Sequence, residues 1–254
     1  AIGDRGNREV LDGFAAAYQQ VGGGAQLRNR VEHAQVVAVE DIPRFVPLKL
    51  IASMQPTHAT SDMNMAEDRV GAERLKGAYA WRAFLDQGTV VAAGSDFPVE
   101  SPNPFFGIHA AVTRQDHGDR PPGGWRPEQK MTLVEAFRAF TLDAAYAGHQ
   151  EKTLGTLEPG KWADFIVIDR DIFAIAPEKI WSTAETARHT AALGPAAGGA
   201  VLERDFPACV DDVVDPVDVG QDLLARCVDV GGGLSHGVHH IGVVLDGGAV
   251  GADA

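Results

Sequence analysis

Cysteine is nearly absent from this chain. Its two thiols, Cys209 and Cys227, lie far apart and late in the sequence, a pattern that excludes a disulfide framework and a zinc ribbon. Basic residues are scarce too: 22 Lys and Arg face 35 Asp and Glu, for a net charge of −13. Such a surface repels phosphate backbones and anionic lipid, so nucleic acid and membrane surfaces are not expected partners. No apolar run approaches the length of a membrane span, and no secretory leader is visible. There is no glycine-rich phosphate loop, no nucleophile elbow and no basic patch interleaved with aromatics. The acidic balance fits a soluble, cytoplasmic protein with acids to spare for a metal.

The chain has the means to fold. Hydrophobic residues make up 45% of its 254 positions, enough for a sizeable core. Over the first 180 residues, strand-like and helix-like segments alternate. Val10, Leu11, Phe14 and Tyr18 recur at helical spacing within residues 8–20, and Gly22-Gly23-Gly24 ends that helix. Residues 30–34, 48–54 and 90–93 read as short strands, each stopped abruptly, by Glu32-His33, Gln55-Pro56 and Gly94-Ser95-Asp96. One helix is predicted over residues 71–87, another over 104–114. A third should open at Thr132, with Glu135 completing a capping box, and run to about 147. Strands alternating with helices imply a parallel α/β sheet with helical crossovers. Residues 163–169 read as a further strand, one side of a hairpin in a small β element.

The composition changes after residue 180. The stretch 181–254 holds three basic residues against eleven acidic ones, which is −8 of the total charge, and its only aromatics are Trp181 and Phe206. Three regions are expected: 1–150, an α/β domain; 151–180, a small β element; and 181–254, an irregular acidic tail rich in Gly, Val and Asp.

Chemistry is sought at the strand ends. A carboxylate at the end of a buried strand is costly unless paired, and in parallel α/β folds active sites lie at the strands' carboxyl edge. Asp96 and His33 each close a predicted strand. Together they could hold a first-row metal, with the carboxylate also serving as a base; a satisfied buried histidine and a turn-capping aspartate fit the same pattern. His58, after Gln55-Pro56, could contact substrate or orient a ligand, or be a surface loop histidine. Asp4 precedes a helix and reads as its cap. His236, His239 and His240 cluster among glycines with no rigid scaffold in evidence.

Five motifs occur in order: Ala1-Ile2-Gly3-Asp4-Arg5-Gly6-Asn7, Val31-Glu32-His33-Ala34-Gln35, Ser53-Met54-Gln55-Pro56-Thr57-His58, Gly94-Ser95-Asp96-Phe97-Pro98-Val99-Glu100 and Leu157-Glu158-Pro159-Gly160-Lys161-Trp162-Ala163-Asp164. Together they resemble the amidohydrolase superfamily, in its family 3 branch, which includes N-substituted formamide deformylases. The resemblance covers about residues 1–180. It implies the C-terminal part of a TIM-like (β/α)8 barrel with a remnant of a small β-sandwich. It also implies hydrolysis of amide, formamide or cyclic amide C–N bonds by water activated on a divalent metal, with zinc expected. In that frame His33 is a metal ligand, and Asp96 is both the metal-edge ligand and the proton acceptor. Gln55 and His58 lie at the substrate mouth, and Asp4 and Arg5 support the loop after the fifth strand.

Other parts of the family pattern have no counterpart here. The His-x-His pair and bridging lysine are missing, and the fifth-strand histidine would fall before Ala1. The chain is therefore expected to be a C-terminal fragment, weakly active or inactive. A rival expectation is a non-catalytic half-barrel that pairs with another chain or with itself through exposed sheet edges. Beyond Trp181-Ser182-Thr183 the resemblance ends, and the residue bias is that of a shifted reading frame in GC-rich DNA.

Overall fold

The computed structural model describes residues 1–189 and 243–245. Cys209, Cys227, the His236–His240 cluster and most of the acidic tail lie outside the described residues. Helix α1 (Asp4–Val21) buries Leu11 and ends at Gly22, whose left-handed backbone (φ 68°) lets its N–H donate to the Tyr18 carbonyl. The cap at its start is Gly3 rather than Asp4. Asp4 occupies the first helical position, where a carboxylate still favours the positive end of the helix.

Strand β1 (Arg30–Glu32), a 3-10 turn (Ile42–Phe45) and strand β2 (Ile51–Met54) follow, then helices α2 (Pro56–Asp62), α3 (Ala66–Leu75) and α4 (Trp81–Asp86), and strand β3 (Val91–Ala93). The three strands form one parallel sheet in the order β1-β2-β3, with Glu32 aligned to Ser53 and Met54 to Ala93. Each crossover is helical or turn-like, so the carboxyl ends of all three strands emerge on one side. Ile51, Ala52, Met54 and all of β3 are buried, as expected of a parallel sheet covered on both faces.

The helix predicted over 71–87 is two helices. Between them, Ala78 pairs with Val36 in an isolated antiparallel bridge, and the Tyr79 N–H donates to the Gln35 carbonyl at 2.7 Å. Gly77 lies against the Val37 carbonyl so closely that a Cβ there would sit 1.7 Å from its oxygen. Tertiary pairing thus captures backbone that the apolar spacing assigns to a helix.

Helix α5 (Pro104–Thr113) opens on Asn103, whose side chain accepts from the Phe105 N–H. The predicted capping box forms: Thr132 and Glu135 bond each other's backbone N–H groups at the start of α6 (Leu133–Phe140). That helix does not reach 147 unbroken. The Thr141 hydroxyl donates to the Phe137 carbonyl, the backbone leaves helical geometry there, and a separate helix, α7 (Leu142–Ala147), follows. Both halves then pack on β3.

Strand β4 (Phe165–Ile168) is the centre of a second sheet. It pairs antiparallel with β5 (Glu185–His189) and parallel with β6 (Val243–Leu245). Its partner is therefore not the turn-rich segment 155–161 before it. The tail expected to be irregular supplies β5 and β6, because a β-branched run such as Val243-Val244 suits the free edge of β4. A 3-10 helix (Pro177–Ser182) crosses the expected boundary at 180 and packs on α5. Ile166, Ile168, Ile172 and Ile180 join the same core as Phe45, Trp81, Phe84 and Phe140. Among the described residues, no helix is long and apolar enough to cross a membrane.

Candidate metal centre

Three strand ends build the site. His33 follows β1, Gln55 follows β2 and Asp96 stands three residues after β3. The ladder continues one residue past the strands: the His33 N–H donates to the Ser53 carbonyl at 2.7 Å and the Gly94 N–H to the Met54 carbonyl at 3.1 Å. The chain then turns sharply. His33 (φ 69°), Ala34 (φ 39°) and Asp96 (φ 56°) all take left-handed backbone conformations, uncommon for residues with a Cβ but more accessible to His and Asp than to most.

His58 reaches the site from a helix. Pro56 sits at the first position of α2, where its missing N–H and fixed φ are no handicap. This places His58 in the first turn, buried at 8% exposure. The break read as strand-to-loop is strand-to-helix, and His58 is not a surface loop histidine. Its ring stacks near that of His33, with centroids 5.9 Å apart and planes 18° apart. His58 Nε2 lies 3.6 Å from Asp96 Oδ2. One ligand atom from each of His33, His58 and Asp96 lies within 4.8 Å of the others.

The ring nitrogens on the far side also have neighbours. His33 Nδ1 is 2.9 Å from Gln55 Oε1. His58 Nδ1 is 3.4 Å from Glu100 Oε1. Glu100 is brought back over α2 by the turn after Asp96, in which the Val99 N–H donates to the Asp96 carbonyl and the Phe97 N–H to the Ser95 hydroxyl. Glu100 closes the motif that holds Asp96, but nothing in the spacing marks its approach to His58, because a loop carries no periodicity.

Two imidazoles and a carboxylate suit a divalent first-row metal. Three protein ligands are what a catalytic zinc site uses, and ligand atoms around a tetrahedral zinc stand about 3.4 Å apart. Small side-chain rotations would bring this trio onto one ion, so the residues fit a metal.

A polar clamp holds the two histidine-bearing segments together. Gln35, two residues after His33, donates to Asp62 Oδ2 at 3.0 Å and to the Tyr79 hydroxyl at 2.8 Å, and that hydroxyl in turn donates to Asp62. Burial, reinforced by the Asp62 carboxylate, raises the Tyr79 pKa and keeps the phenol neutral. Behind it, the fully buried Arg114 guanidinium stacks on Trp81 and donates to the Tyr79 carbonyl at 3.0 Å. Asn7 fastens α1 to the same region by donating to the carbonyls of Ala1, Gly3 and Val36. Asp4 and Arg5 are not brought to the histidines: Asp4 pairs with Arg74 at 3.1 Å, and the exposed Arg5 with Glu9 at 2.9 Å.

The sequence model of the amidohydrolase family matches residues 1–194. The chain belongs to this family. Among curated relatives of this amidohydrolase-family chain, the putative amidohydrolase YtcJ of Bacillus subtilis is 32% identical over 71% of the chain and 33% of its own length. The N-substituted formamide deformylase of Arthrobacter pascens is 29% identical over 64% of the chain and 29% of its own length. Of solved structures, an uncharacterized metal-dependent hydrolase from Pyrococcus furiosus aligns with a TM-score of 0.51 at 30% identity, covering 63% of this chain and 30% of that one. The chain thus spans about a third of the length of the curated relatives it matches.

Proposed function

We propose that this chain carries part of the active site of a metal-dependent hydrolase that cleaves non-peptide C–N bonds in small amides, formamides or cyclic amides. The observation that carries this reading is the convergence of His33, His58 and Asp96 within 4.8 Å, at the carboxyl edge of a parallel sheet in a chain of this family. The formamide deformylase among its relatives supports the bond type, and the solved metal-dependent hydrolase supports the metal. In this reading β1 to β3 are consecutive strands of a TIM-like barrel, and the β4 sheet belongs to an accessory sandwich. The enzyme works in the cytoplasm, as its acidic surface and scarce cysteine suggest.

His33, His58 and Asp96 hold the ion, with zinc as the proposed metal. A divalent metal bound there supplies Lewis acidity and makes a water acidic enough to attack at neutral pH. Asp96 takes the proton of the attacking water on its carboxylate and returns it to the leaving nitrogen, the work of a general base and then a general acid. Its side chain is 41% exposed, so substrate can reach it. Gln55 anchors His33 and lies at the mouth where substrate enters. Asp4 and Arg5 act at a distance, by fixing the start of α1.

Zinc titration of the metal-depleted chain tests this. One ion per chain is expected, with uptake abolished in His33→Ala and in D96N. Turnover of a simple N-substituted formamide is expected to be low in the chain and absent in D96N. Zinc uptake unchanged by either substitution would overturn the assignment.

One observation favours a second reading. Among the described residues, the β1-β2-β3 sheet ends at β1 on one side and β3 on the other, and such edges invite pairing. A chain without catalysis that self-associates through them would run as a dimer or larger species in light scattering after size exclusion. A stable monomer would dismiss it.

A further inference from the structure

Outside the metal centre, two guanidiniums stand side by side on one turn of backbone. Arg114 donates to the Tyr79 carbonyl at 3.0 Å and, through Nε, to the Trp125 carbonyl at 2.5 Å. Arg126 donates to the Lys76 carbonyl at 3.2 Å and pairs with Glu128 at 3.0 Å. Lys76 and Tyr79 are three residues apart, in a segment whose tight turns carry the Gly77 N–H back to Arg74 and the Ala78 N–H back to Leu75. The two cations are therefore neighbours. Burial, with help from the Arg126 charge, pushes the Arg114 pKa down to about 9.

Among the described residues, each guanidinium keeps one buried nitrogen without a partner, Nη2 of Arg114 and Nη1 of Arg126, and the Trp81 indole nitrogen has none either. All three are N–H donors. The Trp81 ring centroid lies 4.2 Å from Arg114 Cζ and the Trp125 centroid 5.1 Å. Indole faces attract a cation, but they meet its flat side and offer nothing to an N–H pointing outward in its plane.

The charge is unbalanced as well. Among the described residues, the fully buried Arg114 donates only to carbonyls. Glu128, the partner of Arg126, has a side chain 56% exposed, so water screens its charge. Lys130 brings a third cation close: a Cβ built on Gly124 would lie 3.0 Å from Lys130 Cε and 3.3 Å from Arg114 Cβ. Three cations beside one solvated acid stand out in a chain of net charge −13. Buried charge is costly unless an opposite charge meets it. A water molecule would satisfy the donors and leave that charge uncompensated.

We propose that Arg114 Nη2, Arg126 Nη1 and the Trp81 indole N–H form a site for one small monovalent anion, of the charge and size of chloride. The charge follows from the pairing: Glu128 answers Arg126, and Arg114 is left over. The size follows from the enclosure, since all three nitrogens are sealed from solvent. The Arg126 side chain, 16% exposed, is the side from which an ion enters. The site goes beyond the hydrolase reading and needs neither metal nor turnover. A held anion would tie the 114–130 loop to the 76–79 turn, and so to Tyr79, whose hydroxyl holds Asp62 and Gln35.

The test uses the 254-residue chain, with chloride and bromide as probes. Thermal melts start in sodium gluconate, whose anion is too large for the site, and chloride replaces gluconate at constant sodium. The melting temperature is expected to rise and then saturate with chloride, as binding to the folded state alone requires. In R126Q the chloride concentration that gives half the rise should move up about 10-fold, the loss of one charged hydrogen bond. Trp81→Phe keeps an aromatic ring without the N–H and should move it in the same direction. Crystals grown in bromide should show one anomalous peak bonded to both guanidiniums. Equal melting temperatures in chloride and gluconate, or a midpoint unchanged in R126Q, would sink the proposal. So would a water at the three donors with bromide bound only at the surface. If R126Q does not fold, Trp81→Phe and the bromide crystals decide.

Discussion

The imidazole of His117 lies flat against the indole of Trp181, with centroids 4.6 Å apart and planes 9° apart. Edge-on to His117 stands His109, fully buried in α5, and this small aromatic stack joins α5 to the 3-10 helix that leads into β5. Burial, with help from the neighbouring His117, pushes the His109 pKa down to about 4, against the pull of Asp119, Glu178 and Asp116. The unfolded chain protonates this histidine near pH 6.5 and the folded chain only near 4. Between those values the unfolded state binds more protons, so stability falls as the pH is lowered.

The first prediction follows from that window. The His109 contribution is fully present above pH 6.5, is lost as the pH falls toward 4, and amounts to about 3 kcal/mol over the window. Urea unfolding at pH 7 and pH 4.5 should show a smaller drop in His109→Gln than in the wild-type chain. Equal drops would place the acid sensitivity elsewhere.

Glycine at 77 and 107 is a packing requirement. A Cβ at Gly107 would lie 2.3 Å from the Phe140 ring, and one at Gly77 would meet a backbone oxygen. A ring can shift where a backbone carbonyl cannot. Gly107→Ala is therefore expected to cost about 1–3 kcal/mol and Gly77→Ala more. Thermal melts of the two variants check the order as well as the size.

Removing the Tyr79 hydroxyl leaves Asp62 and Gln35 each short of a partner. Tyr79→Phe should lower stability by about 1–3 kcal/mol and loosen α2 against the segment after β1. Hydrogen exchange of the α2 amides is the sharper readout. Protection equal to wild type would show that the clamp is redundant.

The capping box offers a smaller, cleaner test. Thr132→Ala is expected to cost about 1 kcal/mol. Glu135 does more, because the Arg82 guanidinium, joined by the Thr132 bonds, holds its carboxyl down at about 2. The stabilisation it gives is present above about pH 4.5 and is lost as the pH drops toward 2. The gap between wild type and Glu135→Gln in chemical unfolding should therefore close in acid.

Some of this was legible in the chain and some was not, for physical reasons. The strand end at Asp96 is written locally: the Val90-Val91 run, then the Gly94-Ser95 break, then a carboxylate. The capping box is local too. The breaks at residues 76–80 and at Thr141 are not, because the apolar spacing runs straight through them and only the pairing of Ala78 with Val36, or of Thr141 with Phe137, interrupts it. His58 was visible as a residue but not as a member of the cluster, since Pro56 can end an extended segment or begin a helix with equal ease. The approach of Glu100 to His58 was silent. It comes from a turn that folds Glu100 onto α2, and no pattern of residue types records that.

The left-handed backbones at His33, Ala34 and Asp96 have a consequence for anyone who breeds this protein for heat resistance. Each such residue stores on the order of 1 kcal/mol or more of conformational strain, and Ala34 has no polar side chain to soften it. Directed evolution rewarded only for survival at high temperature should drift toward Gly or Asn at these positions. It would relax the strand ends and disperse the ligands in the same step. Ruggedness and chemistry compete here for His33 and Asp96.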